Sequence, residues 1–490
     1  MIMKAVVIGA GIAGIACAIR LQIIGYQVTV YENSAYTGGK LAVIQDKNYR
    51  FDAGPSLFTM PELIEELFAL ANKNISEYFD YQQLDPITKY FYEDQSVLIA
   101  HKDKNKFAQE IEEKLGEKSE KILDYLKKSA EKYEITADLF LKRSLHKAET
   151  YLNKKALKGY WNFRKLDVFR TMHQANASTF SNPKLVQLFD RYATYNGSDP
   201  HQTPATLSII PHLEFNIGAF YPKKGMVAIP QALTKLATDL GVNFVLNSQV
   251  DQILIEKKQA KGVLIGENKF FYDLVVSNMD IVNTYQKLMP LQKKPQKILT
   301  QPKSTSALIF YWGIKKSFEN LDVHNIFFSK DYQTEFQHLF EQRKVSSDPT
   351  VYVCISSKVC AEDAPENCEN WFVMINVPNN SGQDWDKIIT DAREHILAKL
   401  SRNLQENIKY LIETESILDP RSIESRTFSS QGALYGNSSN NRYAAFLRHA
   451  NFSADVKNLY FCGGSVHPGG GIPLCLYSAK IVADLIKNQR

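Results

Sequence analysis

Cysteine is scarce and scattered in this chain of 490 residues. Its six cysteines stand at positions 17, 354, 360, 368, 462 and 475, and no two of them form a CxxC pair. Neither a disulfide framework nor a zinc site is expected, nor a metal of any kind, and a reducing, cytoplasmic setting fits best. Long apolar runs are also lacking. None reaches about 18 residues, so no membrane-spanning helix is expected. Excess charge is missing too: the formal net charge is only +5, which gives no reason to expect a nucleic-acid partner. There are no internal repeats or low-complexity tracts, and no motif of a catalytic triad or of paired carboxylates. What remains is an ordinary globular composition, 44% hydrophobic and 23% charged. The length suits about two or three domains with a sizeable core.

The first forty residues carry the sharpest pattern. Lys4 to Ile8 reads as a buried strand, and Gly9-Ala10-Gly11-Ile12-Ala13-Gly14 follows at once. A helix of small residues then runs to Ile24, and Gly25 stops it. Tyr26 to Tyr31 reads as a second strand, ending at Glu32. Strand, glycine turn, helix, strand and acid together form the dinucleotide-binding unit. Gly9 allows the tight turn, Gly11 lets backbone approach a pyrophosphate, and Gly14 lets helix pack close to strand. The helix N-terminus offers free N–H groups and the positive end of its dipole to phosphates. Glu32 is placed to accept hydrogen bonds from a ribose.

Two further blocks narrow the reading. Thr37-Gly38-Gly39-Lys40 follows the acid, and Phe51-Asp52-Ala53-Gly54-Pro55-Ser56 comes soon after. Near the other end, Leu459 to Gly464 reads as a buried strand meeting glycine. Ser465-Val466-His467-Pro468-Gly469-Gly470-Gly471-Ile472-Pro473 follows, then a helix from about Leu474 to Lys487. Pro473 suits the first turn of that helix. These blocks resemble the FAD-dependent carotenoid desaturases of the amine oxidase superfamily. Gly463, His467, Pro468, Gly469, Gly471, Ile472, Pro473 and Ser478-Ala479-Lys480 match the family pattern. Arg191 to Gly197, Pro204-Ala205 and Gly225-Met226 extend the likeness over almost the whole chain. One position departs: Leu474 stands where many relatives carry glycine or another small residue. The run Gly54 to Pro61 looks more like desaturases of hydroxylated acyclic carotenoids than like phytoene desaturases.

The resemblance implies an α/β fold, α+β overall: a Rossmann-like FAD-binding domain and a discontinuous substrate domain of mixed sheet and helices. The expected FAD-binding domain comprises residues 1–75, 221–285 and 445–490. Residues 76–220 and 286–444 are expected to bind substrate and meet the membrane. Motif and resemblance together give the expected cofactor contacts: Gly9, Gly11, Ile12, Ala13, Gly14, Glu32, Asn33, Gly39, Lys40, Gly54, Pro55, Ser56, Val250, Asn278, Gly463, Gly464, Gly471 and Ile472. Val250 is expected to reach the adenine through its backbone.

The implied reaction removes two hydrogens from adjacent carbons of a carotenoid, at C3–C4 of a 1-hydroxylated acyclic end, with oxygen or a quinone as the final acceptor. The cation left by hydride loss spreads over a polyene, so positioning and dryness matter more than a strong base. That agrees with the missing catalytic motifs. His173, Arg191, Tyr195, His201, His212 and Glu214 are the polar candidates of the first insert, and His467 that of the glycine block. His173, Glu214 and His467 are the weak catalytic candidates, each with a structural role as its alternative. The aromatic stretches Phe215 to Tyr221 and Leu308 to Trp312 are candidate tunnel walls or plain core.

A carotenoid resides in a bilayer, so the enzyme is expected to be cytoplasmic and peripherally membrane-associated. Lys154 to Arg170 interleaves basic and aromatic residues and is the expected contact with anionic lipid. The alternatives are a phytoene or lycopene desaturase, a carotenoid isomerase using reduced FAD, a flavin amine oxidase, and a non-enzymatic lipid escort.

Overall fold

The computed structural model describes residues 2–151, 166–440 and 447–489. The Lys154 to Arg170 stretch therefore falls largely outside the described residues.

A five-stranded parallel sheet gathers strands from three distant parts of the chain. Its order is Leu459–Phe461, Leu274–Ser277, Lys4–Ile8, Gln27–Tyr31 and Asn243–Val245. The strands are apolar because both faces are covered. On one face pack the helices Ile12–Ile23, Ala228–Asp239 and Ile472–Lys487. Ala16, Ala18 and Ala479 keep these helices close to one another and to the sheet. On the other face lies an antiparallel sheet of Gln252–Glu256, Gln259–Ile265 and Asn268–Phe271, with Ile253 and Val263 packed in one cluster with Val6, Ile8 and Val275. The last helix begins at Ile472, two residues before its expected start, because Pro473 is accommodated inside the first turn.

A second, seven-stranded sheet has the order Ile412–Leu418, Ser306–Ile314, Glu369–Val377, Val351–Ile355, His324–Phe327, Thr88–Phe91 and Val97–Ala100. Alternation divides its two faces. Leu308, Phe310, Trp312, Trp371, Val373 and Val353 point back into a core with Trp385, Ile396 and Leu400 of the helix Trp385–Leu404. Tyr90, His324, Ile326, Tyr352, Cys354, Phe372, Ile309 and Tyr311 lie on the opposite face, toward the glycine loops and the helices of residues 104–217. Of the stretch Leu308 to Trp312, then, only Ile309 and Tyr311 face inward. The other three residues are core behind the sheet.

Candidate functional site

The glycine turn is built around one asparagine. Gly9, at φ +95°, donates its N–H to Tyr31 O at 2.7 Å and so ties the turn to the second strand. Asn278 follows the strand Leu274–Ser277 and donates Nδ2 to Gly9 O at 3.3 Å. A Cβ on Gly11 or Gly14 would stand 2.8 or 2.9 Å from that Nδ2, and one on Gly463 would stand 2.8 Å from Asn278 Oδ1. Three glycines from opposite ends of the chain thus converge on a single amide. A Cβ on Gly14 would also lie 2.1 Å from Gly9 O, so helix and turn could not keep their spacing.

Glu32 closes the lip of this turn. Its carboxylate accepts the N–H of Ala10 at 2.7 Å and that of Ser34 at 2.8 Å, with Asn33 exposed between them. The second glycine pair stacks on the first loop. Gly38 donates its N–H to Ala10 O at 2.8 Å, and a Cβ on Gly39 would stand 3.3 Å from Gly11 Cα. Ile12 and Ala13 are buried in the first helical turn, and Val250 is buried near Tyr31 in the cluster behind the sheet. A Cβ on Gly54 would fall 1.9 Å from Lys40 O, so the absence of a side chain there lets two chain segments touch. Pro55 keeps open surface, and Ser56 Oγ lies 2.7 Å from Tyr352 OH.

Between the loops lies an interior hollow. Lys40, Asp280, Tyr435 and Cys475 are surrounded by protein yet retain accessible surface. Lys40 Nζ donates to Leu434 O at 3.0 Å. Burial lowers the pKa of this ammonium, and the nearby Asp280 works against that shift. Gly471, at φ +105°, caps the last helix, and nothing lies within 4 Å of where its Cβ would be. Gly464 approaches Gly470, whose Cα would be 3.1 Å from an added Cβ. Free N–H groups of the Ile472 turn and a side-chain-free edge therefore border the hollow. A flat, electron-accepting ring fits such a place.

The polar candidates divide. His467 is 2% exposed, donates Nε2–H to Arg143 O at 2.8 Å, and is held near pKa about 4, chiefly by burial. It braces the glycine block against residue 143. His173 Nδ1 lies 2.6 Å from Asp190 Oδ2, which raises its pKa, and its ring sits 4.2 Å from that of His201. His212 packs on Tyr133. Glu214, Arg191 and Tyr195 do come together, with Tyr90 and Tyr192, in a buried cluster. Sequence reasoning missed His324 and Tyr352, which join that cluster from the seven-stranded sheet. They sit in ordinary strand patterns, and only the strand register brings them near. Among the described residues no group of His, Cys, Asp and Glu could hold a metal ion.

The family model for flavin-containing amine oxidoreductases matches residues 12–487. The chain belongs to this family. The flavoprotein is 49% identical over 485 residues to a 1-hydroxycarotenoid 3,4-desaturase of Flavobacterium sp. (strain P99-3), covering 99% of each chain. It is 32% identical to a 4,4'-diapolycopene oxygenase of Methylomonas sp, covering 99% of this chain and 98% of the relative. Within the family it groups with the carotenoid desaturases. The solved structure of an oxidoreductase from Methanosarcina mazei shares its fold, with a TM-score of 0.63 at 16% identity, over 99% of this chain and 100% of that one. The protein is an FAD-dependent oxidoreductase with a mixed fold of helices and sheets.

Proposed function

We propose that this flavoprotein desaturates a carotenoid at C3–C4 of a 1-hydroxylated acyclic end. The observation that carries this reading is the 49% identity over the full length to a 1-hydroxycarotenoid 3,4-desaturase. The intact glycine cradle supports it. Residues 1–75, 221–285 and 445–490 form the FAD-binding domain in this reading, and residues 76–220 and 286–444 the substrate domain.

Glu32 would hold the ribose. The N–H groups of the Gly11 turn would hold the pyrophosphate, and Gly39, Lys40, Ser56 and the Gly463–Ile472 block would border the ring. Bound FAD supplies the two-electron hydride acceptor, with oxygen or a quinone as terminal oxidant. The chain's own work is positioning. The start of the last helix presents N–H groups where negative charge develops. Apolar residues on the inner face of the large sheet, Ile309, Phe372 and Met374 among them, exclude water from a polyene. The leaving proton needs only a weak acceptor, and the engaged His467 is not required for it.

The partners in this reading are a carotenoid within a bilayer and the membrane surface itself. No described helix is long and apolar enough to cross a membrane, which fits peripheral contact. The test is incubation of purified protein, FAD and liposomes carrying a 1-hydroxylated acyclic carotenoid, followed by chromatography and mass spectrometry. The expected product is lighter by two hydrogens and red-shifted. Unchanged substrate with flavin bound and an oxidant present would overturn the reading. Unchanged mass with altered retention would replace it with isomerisation.

A further inference from the structure

An acyclic polyene is nearly repetitive along its length, so a purely apolar channel gives it no preferred register. Something must fix how far the chain enters. The inner face of the seven-stranded sheet holds a polar cluster suited to that task.

Glu214 is 1% exposed. It accepts Tyr192 OH at 2.6 Å, Tyr195 OH, and Arg191 Nη2 at 3.5 Å. Arg191 also reaches Tyr195 OH at 3.3 Å and Tyr90 OH at 3.2 Å. Beside this group, Tyr352 OH lies 2.8 Å from His324 Nδ1 and 2.7 Å from Ser56 Oγ. The register sets Met374, Tyr352 and Ile326 in one row across the sheet and His324 in the next, so both polar side chains share the inner face. Two atoms of the cluster are left over. His324 Nε2 and Arg191 Nε are buried without a hydrogen-bond partner, which is costly unless something else supplies one. Tyr195 and Tyr352 are only half-buried, so the cluster is not packed shut on every side.

The cluster joins the cofactor hollow at two points. Ser56 belongs to the segment whose Gly54 packs on Lys40 O. The Arg191–Asn196 turn ends at Gly197, where a Cβ would stand 3.0 Å from the Tyr435 ring. Proximity is required by the substrate's covalent geometry. A hydroxyl on C1 is only a few bonds of about 1.5 Å each from the C3–C4 bond, so its anchor must lie beside the reacting centre.

We propose that this cluster binds the hydroxyl at the end of the substrate, with His324 Nε2 as its hydrogen-bond partner, and thereby selects the bond that is desaturated. The inference rests on the desaturase reading above. A hydroxyl both donates and accepts, so it satisfies His324 in either tautomer. Burial, aided by the Arg191 charge, keeps this imidazole neutral, with its pKa lowered to about 3. An end without a hydroxyl would leave Nε2 unpaired, and sites built to bond a hydroxyl reject the analogue lacking it. His324 acts here as a positioning residue.

The experiment compares kcat/KM for a 1-hydroxylated acyclic carotenoid, its 1-methoxy ether and the parent without either group. The substrates are presented in liposomes to FAD-loaded protein. Wild type is expected to favour the hydroxylated substrate over both others by about tenfold or more. In His324→Leu the preference should fall to within about threefold of unity, through a raised KM for the hydroxylated substrate. Tyr352→Phe, which keeps its ring packing, should erode it severalfold. Flavin absorbance verifies that each variant is loaded, and the ether comparison needs no variant. Equal turnover of all three by wild type, or an undiminished preference in loaded His324→Leu, overturns the anchor and leaves the desaturase reading standing. Failure of wild type to desaturate the hydroxylated carotenoid overturns both.

Discussion

The wall proposed for the cofactor and the wall proposed for the substrate are built on opposite principles. The cofactor wall is made by omission. Gly11, Gly14 and Gly463 leave room that the Asn278 amide fills, and Gly39 lies against Gly11. Its polar contacts are mostly backbone N–H and C=O groups. The substrate wall is made by addition. Bulky charged and phenolic side chains, Arg191, Glu214, Tyr90 and Tyr192, are buried together and bonded to one another, with Arg191 Nε left over. On the first wall Gly14 and Gly463 have no room for an added atom, and on the second neither charge of the Arg191–Glu214 pair can be removed alone. In the proposed reading the difference follows from the ligands: phosphates and a flat ring are met by backbone, whereas an apolar chain with one polar end needs a single fixed polar point.

The comparison breaks most sharply at Gly14. Gly14→Val should abolish flavin retention, because its first added carbon already collides with Gly9 O. Purified variant protein should lack the flavin absorbance band. Retained flavin at wild-type occupancy would mean that the turn has slack. On the other wall, Arg191→Met should cost about 3–5 kcal/mol in denaturant unfolding, since it strands the Glu214 carboxylate in the interior. The double variant Arg191→Met/Glu214→Leu should recover most of that loss. A double variant no better than the single one would refute mutual compensation.

Acid sharpens the contrast further. His467 and His449 are each held to pKa about 4 by burial, below the ordinary value of 6.5. The unfolded chain therefore binds more protons than the native one between those values. Stability should be full above about pH 6.5 and fall as pH drops toward 4, by at most about 1.4 kcal/mol per pH unit for each histidine. His467→Gln should flatten that slope in unfolding measured from pH 7 to 4, and an unchanged slope would remove His467 from the account. The smallest effect is expected at the lip. Glu32→Gln keeps one acceptor oxygen, so FAD binding should weaken by about 1.5–3 kcal/mol, read by fluorescence titration. Undiminished affinity would show that Glu32 serves only the N–H groups of Ala10 and Ser34.

The cofactor wall was legible in the sequence because its rules are local. A strand, three glycines and an acid within about thirty residues leave little freedom, and Gly463 to Pro473 is just as compact. Even there, the close contact of Gly54 with Lys40 O was not readable from the motif. Which partner holds the turns together was not readable either, since Asn278 lies far along the chain from Gly9. The substrate wall was mostly illegible. Arg191 and Glu214 stood out as polar residues, but Tyr90, His324 and Tyr352 come from separate strands whose side-by-side order is fixed only by sheet pairing. His173 and His212 were polar candidates too, and their partners, Asp190 and Tyr133, were equally unreadable from the sequence.

The crossing of the first and last segments at Asn278 also sets a timetable for biosynthesis. The Gly9–Gly14 turn leaves the ribosome first, while Gly463 and the final helix leave last, with nearly the whole chain between them. At about 5–20 residues per second that interval is on the order of a minute. Throughout it the nascent protein holds an open half-cradle, with the strand Lys4–Ile8 lacking its neighbour Leu274–Ser277 for more than half the time. The glycines that meet at Asn278 are therefore brought together only in the closing act of synthesis, and a chain cut short before residue 463 would carry most of the fold but lack the Gly463 side of that contact.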